Sequence, residues 1–352
     1  MKKLIGIIYG GKSTEHEISI ISATNVYKNL DKDTFDCVLL YISKDGGWYI
    51  STPDELMNGR LEFEDSKLLS LKMSPDSFCF INAENCIKPD VLFPVLHGPN
   101  GEDGSVQGLF EVAGIPYVGT GIAGSSIAMD KEIAKRLLIE AGIPVANYFS
   151  LQKWQDEFDL RPIIKKLGFP MVVKPCSAGS SVGLSKVNTD EELIDAIELA
   201  FEYDEKILLE EYIEGREIEV AVMGNHNPIS STPGEIVTAF YDYKEKYSKD
   251  SKTRLDAPAV IDAQLAEEVK ELAIDAFLAL NCEGMSRVDF FLTEEGFLLN
   301  EINTIPGFTN ISMYPKLFEI SGISQKELIS RLIEFALDRW KNKAELKTYY
   351  TE

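Results

Sequence analysis

Arg287-Val288-Asp289-Phe290-Phe291-Leu292, with Leu298-Leu299-Asn300-Glu301-Ile302-Asn303 close behind, is the stretch whose reading decides the fold. Both runs read as strands, and the short Thr293–Gly296 link predicts a hairpin. Side chains two apart share one face of a strand, so Arg287 and Asp289 point together, as do Glu301 and Asn303. Pairing the strands gathers one guanidinium, two carboxylates and an amide. Oxygen donors of this kind suit Mg2+, which keeps some waters and takes other ligands from nucleotide phosphates. A surface salt-bridge cluster on an edge hairpin is the alternative. The strongly apolar flanking residues argue for a buried face and favour the metal.

Upstream, Met171-Val172-Val173-Lys174 reads as a strand closed by Pro175 and opened into the Ser/Gly-rich loop Cys176 to Gly183. Such a loop can present N–H groups and hydroxyls to phosphate, although an ordinary connection is the commoner explanation. Leu208-Leu209-Glu210-Glu211-Tyr212-Ile213-Glu214-Gly215-Arg216-Glu217 is a strand running into an acidic loop. Its backbone could read an adenine edge and a later carboxylate could bind ribose hydroxyls, but taken alone it is only an acidic transition. The formal charge of −22 repels nucleic acid and anionic membranes, so a triphosphate site needs local basic residues. Lys131, Lys174 and Lys246 together would supply them.

At the other end, Leu4 to Tyr9 reads as a buried strand turning at Gly10-Gly11, with a helix from about Glu15 to Leu30 capped by Ser13 or Thr14. Phe35 to Ile42 and Pro89 to Val95 are further predicted strands, Ser105 to Ala113 a helix, Ile115 to Val118 a short strand. This alternation argues an α/β domain with a mainly parallel sheet. One long helix is predicted over 122–141, and strand-like Ile218 to Met223 and a helix over 263–280 follow later. A length of 352 residues suggests two or three domains.

Gly6-Ile7-Ile8-Tyr9-Gly10-Gly11-Lys12-Ser13 matches the P-loop pattern letter for letter. A P-loop's first glycine ends its strand, whereas Gly6 falls inside the apolar run. Glu15 and Glu17 also put carboxylates where phosphate would want the helix N-terminus. The site suits an ammonium group better, with the helix dipole as the plainer reading of both acids.

Five scattered cysteines without a C-x-x-C pair suit a reducing cytoplasm better than a disulfide framework. Cys176 is given no catalytic role, but the nearby lysine charge would favour its thiolate. The N-terminal apolar run is too short for a secretory signal, and no apolar stretch is long enough to span a bilayer.

In this order, the motifs resemble those of the D-alanine–D-alanine ligases of the ATP-grasp superfamily. The resemblance runs from Gly10-Gly11-Lys12-Ser13-Thr14-Glu15-His16-Glu17 through Leu96-His97-Gly98-Pro99-Asn100-Gly101-Glu102-Asp103-Gly104, Met129-Asp130-Lys131 and Gly179-Ser180-Ser181-Val182-Gly183. It continues through Tyr241-Asp242-Tyr243-Lys244-Glu245-Lys246-Tyr247 to Asn303-Thr304-Ile305-Pro306-Gly307-Phe308-Thr309.

The resemblance implies an α/β, three-domain ATP-grasp fold: an N-terminal parallel-sheet substrate domain (1–122), a central domain (123–215) and a C-terminal domain (216–352) with a lid loop (244–256). It implies ATP-dependent joining of two D-alanines through an acyl phosphate, for peptidoglycan precursors, in a cytoplasmic homodimer. Glu15 would hold the first substrate's ammonium, with His97 near its carboxylate. Lys131, Lys174 and Lys246 would contact phosphates, and Glu210, Glu211, Ile213 and Glu217 would line the adenosine pocket. Asp289, Glu301 and Asn303 would ligate two Mg2+ ions, with Mn2+ as an alternative. Arg287 and the Gly307 N–H would stabilise oxyanions, Ser312 would receive the second carboxylate, and Ser180 and Tyr247 would link to Glu15. Rival readings are a ligase taking D-serine or D-lactate second, a non-catalytic nucleotide-responsive protein and, far behind, a P-loop phosphotransferase.

Overall fold

The computed structural model describes residues 2–74, 77–82, 86–155, 158–179, 182–237 and 254–347. Ser180, Lys246 and Tyr247 lie outside these, as does the expected lid apart from 254–256.

The chain opens with β1 (Lys3–Gly10), α1 (His16–Asn29), β2 (Phe35–Ile42), β3 (Trp48–Ser51) and α2 (Pro53–Asn58). A small antiparallel sheet of β4 (Ser70–Ser74), β5 (Ser77–Ile81) and β6 (Cys86–Ile87) precedes β7 (Val91–Val95) and α3 (Ser105–Ala113). β1 lies between β2 and β7, parallel to both, and β3 adds an antiparallel edge. Ile5, Ile7 and Tyr9 enter one core while Ile8 enters another, so this sheet is buried on both faces. A Cβ on Gly6 would lie 2.8 Å from Leu92 Cδ2 and 3.1 Å from Pro89 Cγ. Gly6 is therefore a packing residue inside a strand, and the P-loop reading fails. At Gly10, φ is 91° and a Cβ would meet the Ile42 carbonyl oxygen at 2.2 Å, so the turn out of β1 requires glycine.

Three local expectations change. Neither Ser13 nor Thr14 is the α1 N-cap: Glu15 occupies that position, and Ser13 Oγ accepts the Glu15 N–H at 3.1 Å instead. The stretch 115–118 meets β7 through a single bridge, Leu92 to Tyr117, and forms no strand. The helix predicted over 122–141 is two helices, α4 (Ile122–Met129) and α5 (Lys131–Glu140). Asp130 divides them because its backbone is extended and its side chain accepts the Ile133 N–H, capping α5. Aspartate's competition for backbone donors makes it a better cap than a helix interior residue.

The middle of the chain comprises β8 (Tyr148–Gln152), α6 (Leu160–Leu167), β9 (Met171–Pro175), β10 (Ser185–Val187), α7 (Asp190–Ala200) and β11 (Lys206–Glu211). Its sheet is antiparallel, in the order β10-β9-β11-β8, and encloses its own core around Met171, Val173, Leu193, Ile207 and Leu209. Then β12 (Arg216–Gly224), β13 (Ile229–Ser230), β14 (Gly234–Val237), β15 (Arg254–Asp256), α8 (Ala263–Ala279), β16 (Gly284–Thr293) and β17 (Gly296–Asn303) build a second antiparallel sheet, β15-β14-β12-β16-β17, with β13 beside β12. The predicted hairpin is β16–β17. Because β16 is an interior strand, the Arg287 and Asp289 side chains are only 14% and 13% exposed, against the surface-cluster alternative. Helices α4, α5 and α8 share a core with this sheet through Ala128, Leu138, Val220, Phe277 and Val288.

Finally, α9 (Met313–Ile320) packs on β12, and α10 (Gln325–Ala344) returns to the first sheet against β7. Tyr314, Phe318, Leu328 and Leu332 join Ile5, Ile7 and Val91 in one core. Arg339 donates to the Tyr117 carbonyl at 2.8 Å and lies 4.5 Å from the centre of its ring.

The cysteine reading needs correction. Cys79 on β5 and Cys86 on β6 form a disulfide, leaving Cys37, Cys176 and Cys282 free. The pairing arises because β5 and β6 are sheet neighbours, with Ile81 opposite Cys86, a proximity that spacing alone does not reveal.

Candidate active site

The β16–β17 register sets Arg287 opposite Asn303 and Asp289 opposite Glu301. Arg287 donates to both Asp289 oxygens, Nε to Oδ1 at 2.7 Å and Nη2 to Oδ2 at 2.6 Å, and Asn303 Nδ2 donates to Asp289 Oδ2 at 3.0 Å. From β12, Glu219 comes within 3.1 Å of Arg287 Nε. Burial disfavours the guanidinium charge, but Asp289, Glu219 and Glu301 outweigh it and hold the Arg287 pKa above its ordinary value. Between Asp289 and Phe290 the register slips, so Asn300 has no cross-strand partner; Lys174 Nζ donates to its Oδ1 at 3.4 Å. A bulge of this kind re-aims a side chain that regular alternation would turn away.

Lys131, the first residue of α5, bridges toward the middle sheet. Its Nζ donates to the Ala178 carbonyl at 2.8 Å and stands 3.7 Å from Glu301 Oε2. On the middle sheet, Glu210 is shared between two lysines: Lys174 Nζ lies 2.6 Å from Oε2 and Lys135 Nζ 2.8 Å from Oε1. Burial raises the Glu210 pKa, but the two ammonium groups reverse this and hold it at about 2. Burial also lowers the Lys135 pKa, with the Glu210 carboxylate opposing the shift. Glu211 Oε1 accepts the Asn147 N–H at 2.7 Å, Ile213 is half-buried past the end of β11, and Glu217 lies on β12 opposite Phe291.

On the N-terminal side, Glu15 is buried. A Cβ on Gly98 would lie 3.3 Å from its Oε2 and one on Gly179 3.5 Å, so its carboxylate sits between the 97–104 turn and the 176–179 segment. The Gly98 N–H donates to Glu102 Oε2 at 3.1 Å. Burial, with Glu15 and Glu301 nearby, pushes the Glu102 carboxyl up to about 8. His97 is held at both nitrogens: Nδ1 donates to the Ile305 carbonyl at 3.0 Å and Nε2 is 3.1 Å from Ser22 Oγ. Ser22 Oγ also accepts the Phe308 N–H at 3.2 Å. The turn after β17 is thereby fixed to α1 and β7. Within that turn, a Cβ on Gly307 would lie 2.7 Å from Ser312 Oγ, which accepts the Thr309 N–H at 3.0 Å.

One constellation results, drawn from around three of the four sheets: Glu15 and His97 on one side, Lys131, Lys174 and Glu210 on another, and Arg287, Asp289, Glu301 and Asn303 on the third. Among the described residues no helix is long and apolar enough to cross a membrane. Nor is any group of three or more His, Cys, Asp and Glu placed to hold a metal; the donor set at the hairpin is two carboxylates and one amide.

Two family models match the chain, D-ala D-ala ligase N-terminus over residues 4–120 and D-ala D-ala ligase C-terminus over 137–334. The D-alanine–D-alanine ligase of Oceanobacillus iheyensis is 44% identical over 366 residues, covering 99% of each chain. The chain belongs to the D-alanine–D-alanine ligase family. Among solved structures, a D-Ala:D-Ser ligase from Enterococcus faecalis is 38% identical with a TM-score of 0.87, covering 96% of this chain and 100% of its own. The D-alanine–D-alanine ligase of Bacillus anthracis, solved with ATP, is 29% identical with a TM-score of 0.75, covering 97% and 99%. As a member of this ligase family the chain is an ATP-using enzyme with the ATP-grasp fold.

Against the expectations for a D-alanine–D-alanine ligase, the structure adds partners the sequence reading missed. Glu219 braces Arg287, Asn300 meets Lys174, Lys135 shares Glu210, and Ser22 holds His97. Glu219 alternates with Glu217 along a strand and could have been found by period-2 counting. The other three depend on a bulge or on contacts between distant elements, which no local pattern carries.

Proposed function

We propose that the chain joins two D-alanine molecules to D-alanyl-D-alanine, with ATP converted to ADP and phosphate through an acyl phosphate, to supply peptidoglycan precursors. The observation that carries this reading is the Lys131–Glu301–Asp289–Arg287 cluster lying beside Lys174 and next to the Glu15 loop junction. Glu15 holds the ammonium of the first D-alanine and His97 stands near its carboxylate. Lys131, Lys174 and Lys246 attract the ATP phosphates, while Glu210, Glu211, Ile213 and Glu217 border adenosine. The first carboxylate attacks the γ-phosphorus, ADP leaves, and the amine of the second D-alanine then displaces phosphate from the acyl carbon. Both steps gather negative charge on oxygen, which the Arg287 guanidinium and the Gly307 N–H stabilise. Ser312 receives the second carboxylate, and Ser180 and Tyr247 close the site over Glu15 to keep water from the acyl phosphate.

Asp289, Glu301 and Asn303 would hold two Mg2+ ions, or Mn2+ in their place. The fit is one of donor type: carboxylate and amide oxygens on one face, few enough that phosphate and water must complete the coordination. Magnesium bound there would screen phosphate charge and polarise the transferring group. We further read the enzyme as a homodimer of the cytoplasm, where ATP is available.

The test is direct. Protein, MgATP and D-alanine should give D-alanyl-D-alanine, ADP and phosphate in equal amounts, and ATP consumption without dipeptide would overturn the reading. The likeness to a D-Ala:D-Ser ligase makes D-serine the second substrate to try.

A further inference from the structure

We propose that Lys135 is a positioning residue that keeps Lys174 available to the nucleotide, a role resting on the reading of Lys174 and Glu210 just given. Lys135 lies one helical turn beyond Lys131 on α5, and at 1% exposure its ammonium does not reach the site itself. Burying a lysine this completely is costly without a charged partner. Its partner is Glu210 Oε1 at 2.8 Å, while Lys174 takes Oε2 at 2.6 Å. Two ammonium groups around one carboxylate leave the cluster an excess positive charge, and the low dielectric of the interior magnifies it. With Lys135 removed, the cluster would carry no net charge and Glu210 could turn both oxygens toward Lys174, drawing it from the phosphate side. Lys135 thus occupies half of the carboxylate so that Lys174 can face Asn300 and the phosphate side. Lys131, which repels Lys135, and the Tyr148 ring, 5.8 Å from its Nζ, complete the surroundings that bear on its charge.

The experiment compares KM for ATP and KM for D-alanine in the full-length wild type, Lys135→Met and Lys135→Arg. Loss of one net charge beside the phosphates should raise the ATP KM about tenfold in Lys135→Met. The D-alanine KM should stay within about twofold, since Glu15 and His97 are untouched. Lys135→Arg keeps a cation beside Glu210 Oε1, and its ATP KM should stay within about threefold of wild type. Equal losses for both substrates in Lys135→Met, or an ATP KM in folded Lys135→Arg raised as far as in Lys135→Met, would show that Lys135 only packs and would overturn the proposal. If Lys135→Met does not fold, Lys135→Gln replaces it: about a tenfold rise confined to the ATP KM supports the role and an ATP KM within about threefold of wild type refutes it. A wild type that makes no dipeptide at all would overturn the reading of the site, and this role with it.

Discussion

Lys131 stands between two sheets with its Nζ 3.7 Å from Glu301 Oε2, the amine of a helix N-terminus facing a carboxylate of an edge strand. The same amine donates to the Ala178 carbonyl, so one side chain links the segment after β9, the first helical turn of α5 and the acidic hairpin. If Glu301 holds magnesium, Glu301→Gln should lower dipeptide synthesis about a hundredfold or more while circular dichroism stays unchanged. Near-normal turnover by the folded variant would end the metal assignment.

The Arg287–Asp289 fork makes a separate demand. Arg287→Lys keeps the charge and loses the two parallel bonds, so kcat should fall about a hundredfold with a smaller effect on the ATP KM. A change confined to KM would mean that Arg287 binds substrate without stabilising the reacting oxygens.

Lys12 matches the P-loop lysine in letters, and Lys174 lies beside the hairpin. Nucleotide titration should find that Lys174→Ala weakens ATP binding about tenfold or more, and that Lys12→Ala scarcely changes it. Equal losses would bring the discarded motif back.

Proximity to lysines does not make Cys176 a thiolate. The side chain is fully buried, and burial pushes its thiol up to about 12, with Asp130 adding to the shift. Less than about one thiol in ten thousand is then ionised at pH 7.5. Iodoacetamide should leave Cys176 unmodified in the native protein with or without MgATP, and label it once urea unfolds the chain. Rapid native labelling, slowed by MgATP, would show instead that the thiol is accessible and that the lysines favour its thiolate.

Glu102 gives a pH dependence with a definite sign. Burial, with Glu15 beside it, pushes its carboxyl up to about 8 in the folded chain from an ordinary 4.5 once unfolded. Between those limits the folded state binds more protons, so this group's contribution is full below pH 4.5 and is lost as pH rises through 8. Without magnesium or nucleotide, wild-type stability in urea should decline over that window relative to Glu102→Gln, which cannot titrate. Parallel pH profiles for the two proteins would show that the carboxyl ionises normally.

Much of this was readable in advance where chemistry follows strand alternation. Arg287, Asp289, Glu301 and Asn303 fell on one face because period 2 puts them there, and Gly6 declared itself a packing glycine by lying inside an apolar run. Reading failed where one side chain overrides a continuous pattern. Asp130 interrupts an otherwise helical stretch, and the bulge at Asn300 brings a residue of the wrong parity toward Lys174. It failed too where partners come from remote elements, as with Cys79 and Cys86, Lys135 and Glu210, or His97 and Ile305.

The return of α10 to the first sheet also sets an order of assembly. During synthesis, β1, β2 and β7 emerge early, yet the apolar face bearing Ile5, Ile7 and Val91, covered in part by Ala23 and Val26 of α1, is completed only when residues 325–344 have been made. The middle sheet, whose core closes within residues 151–209, needs nothing from later in the chain and can fold first. The segment translated first therefore matures last, with part of its hydrophobic face open through most of elongation. Until then that open part is a natural client for a chaperone, and a ribosome stalled before residue 325 would leave a product prone to aggregate through its N-terminal sheet.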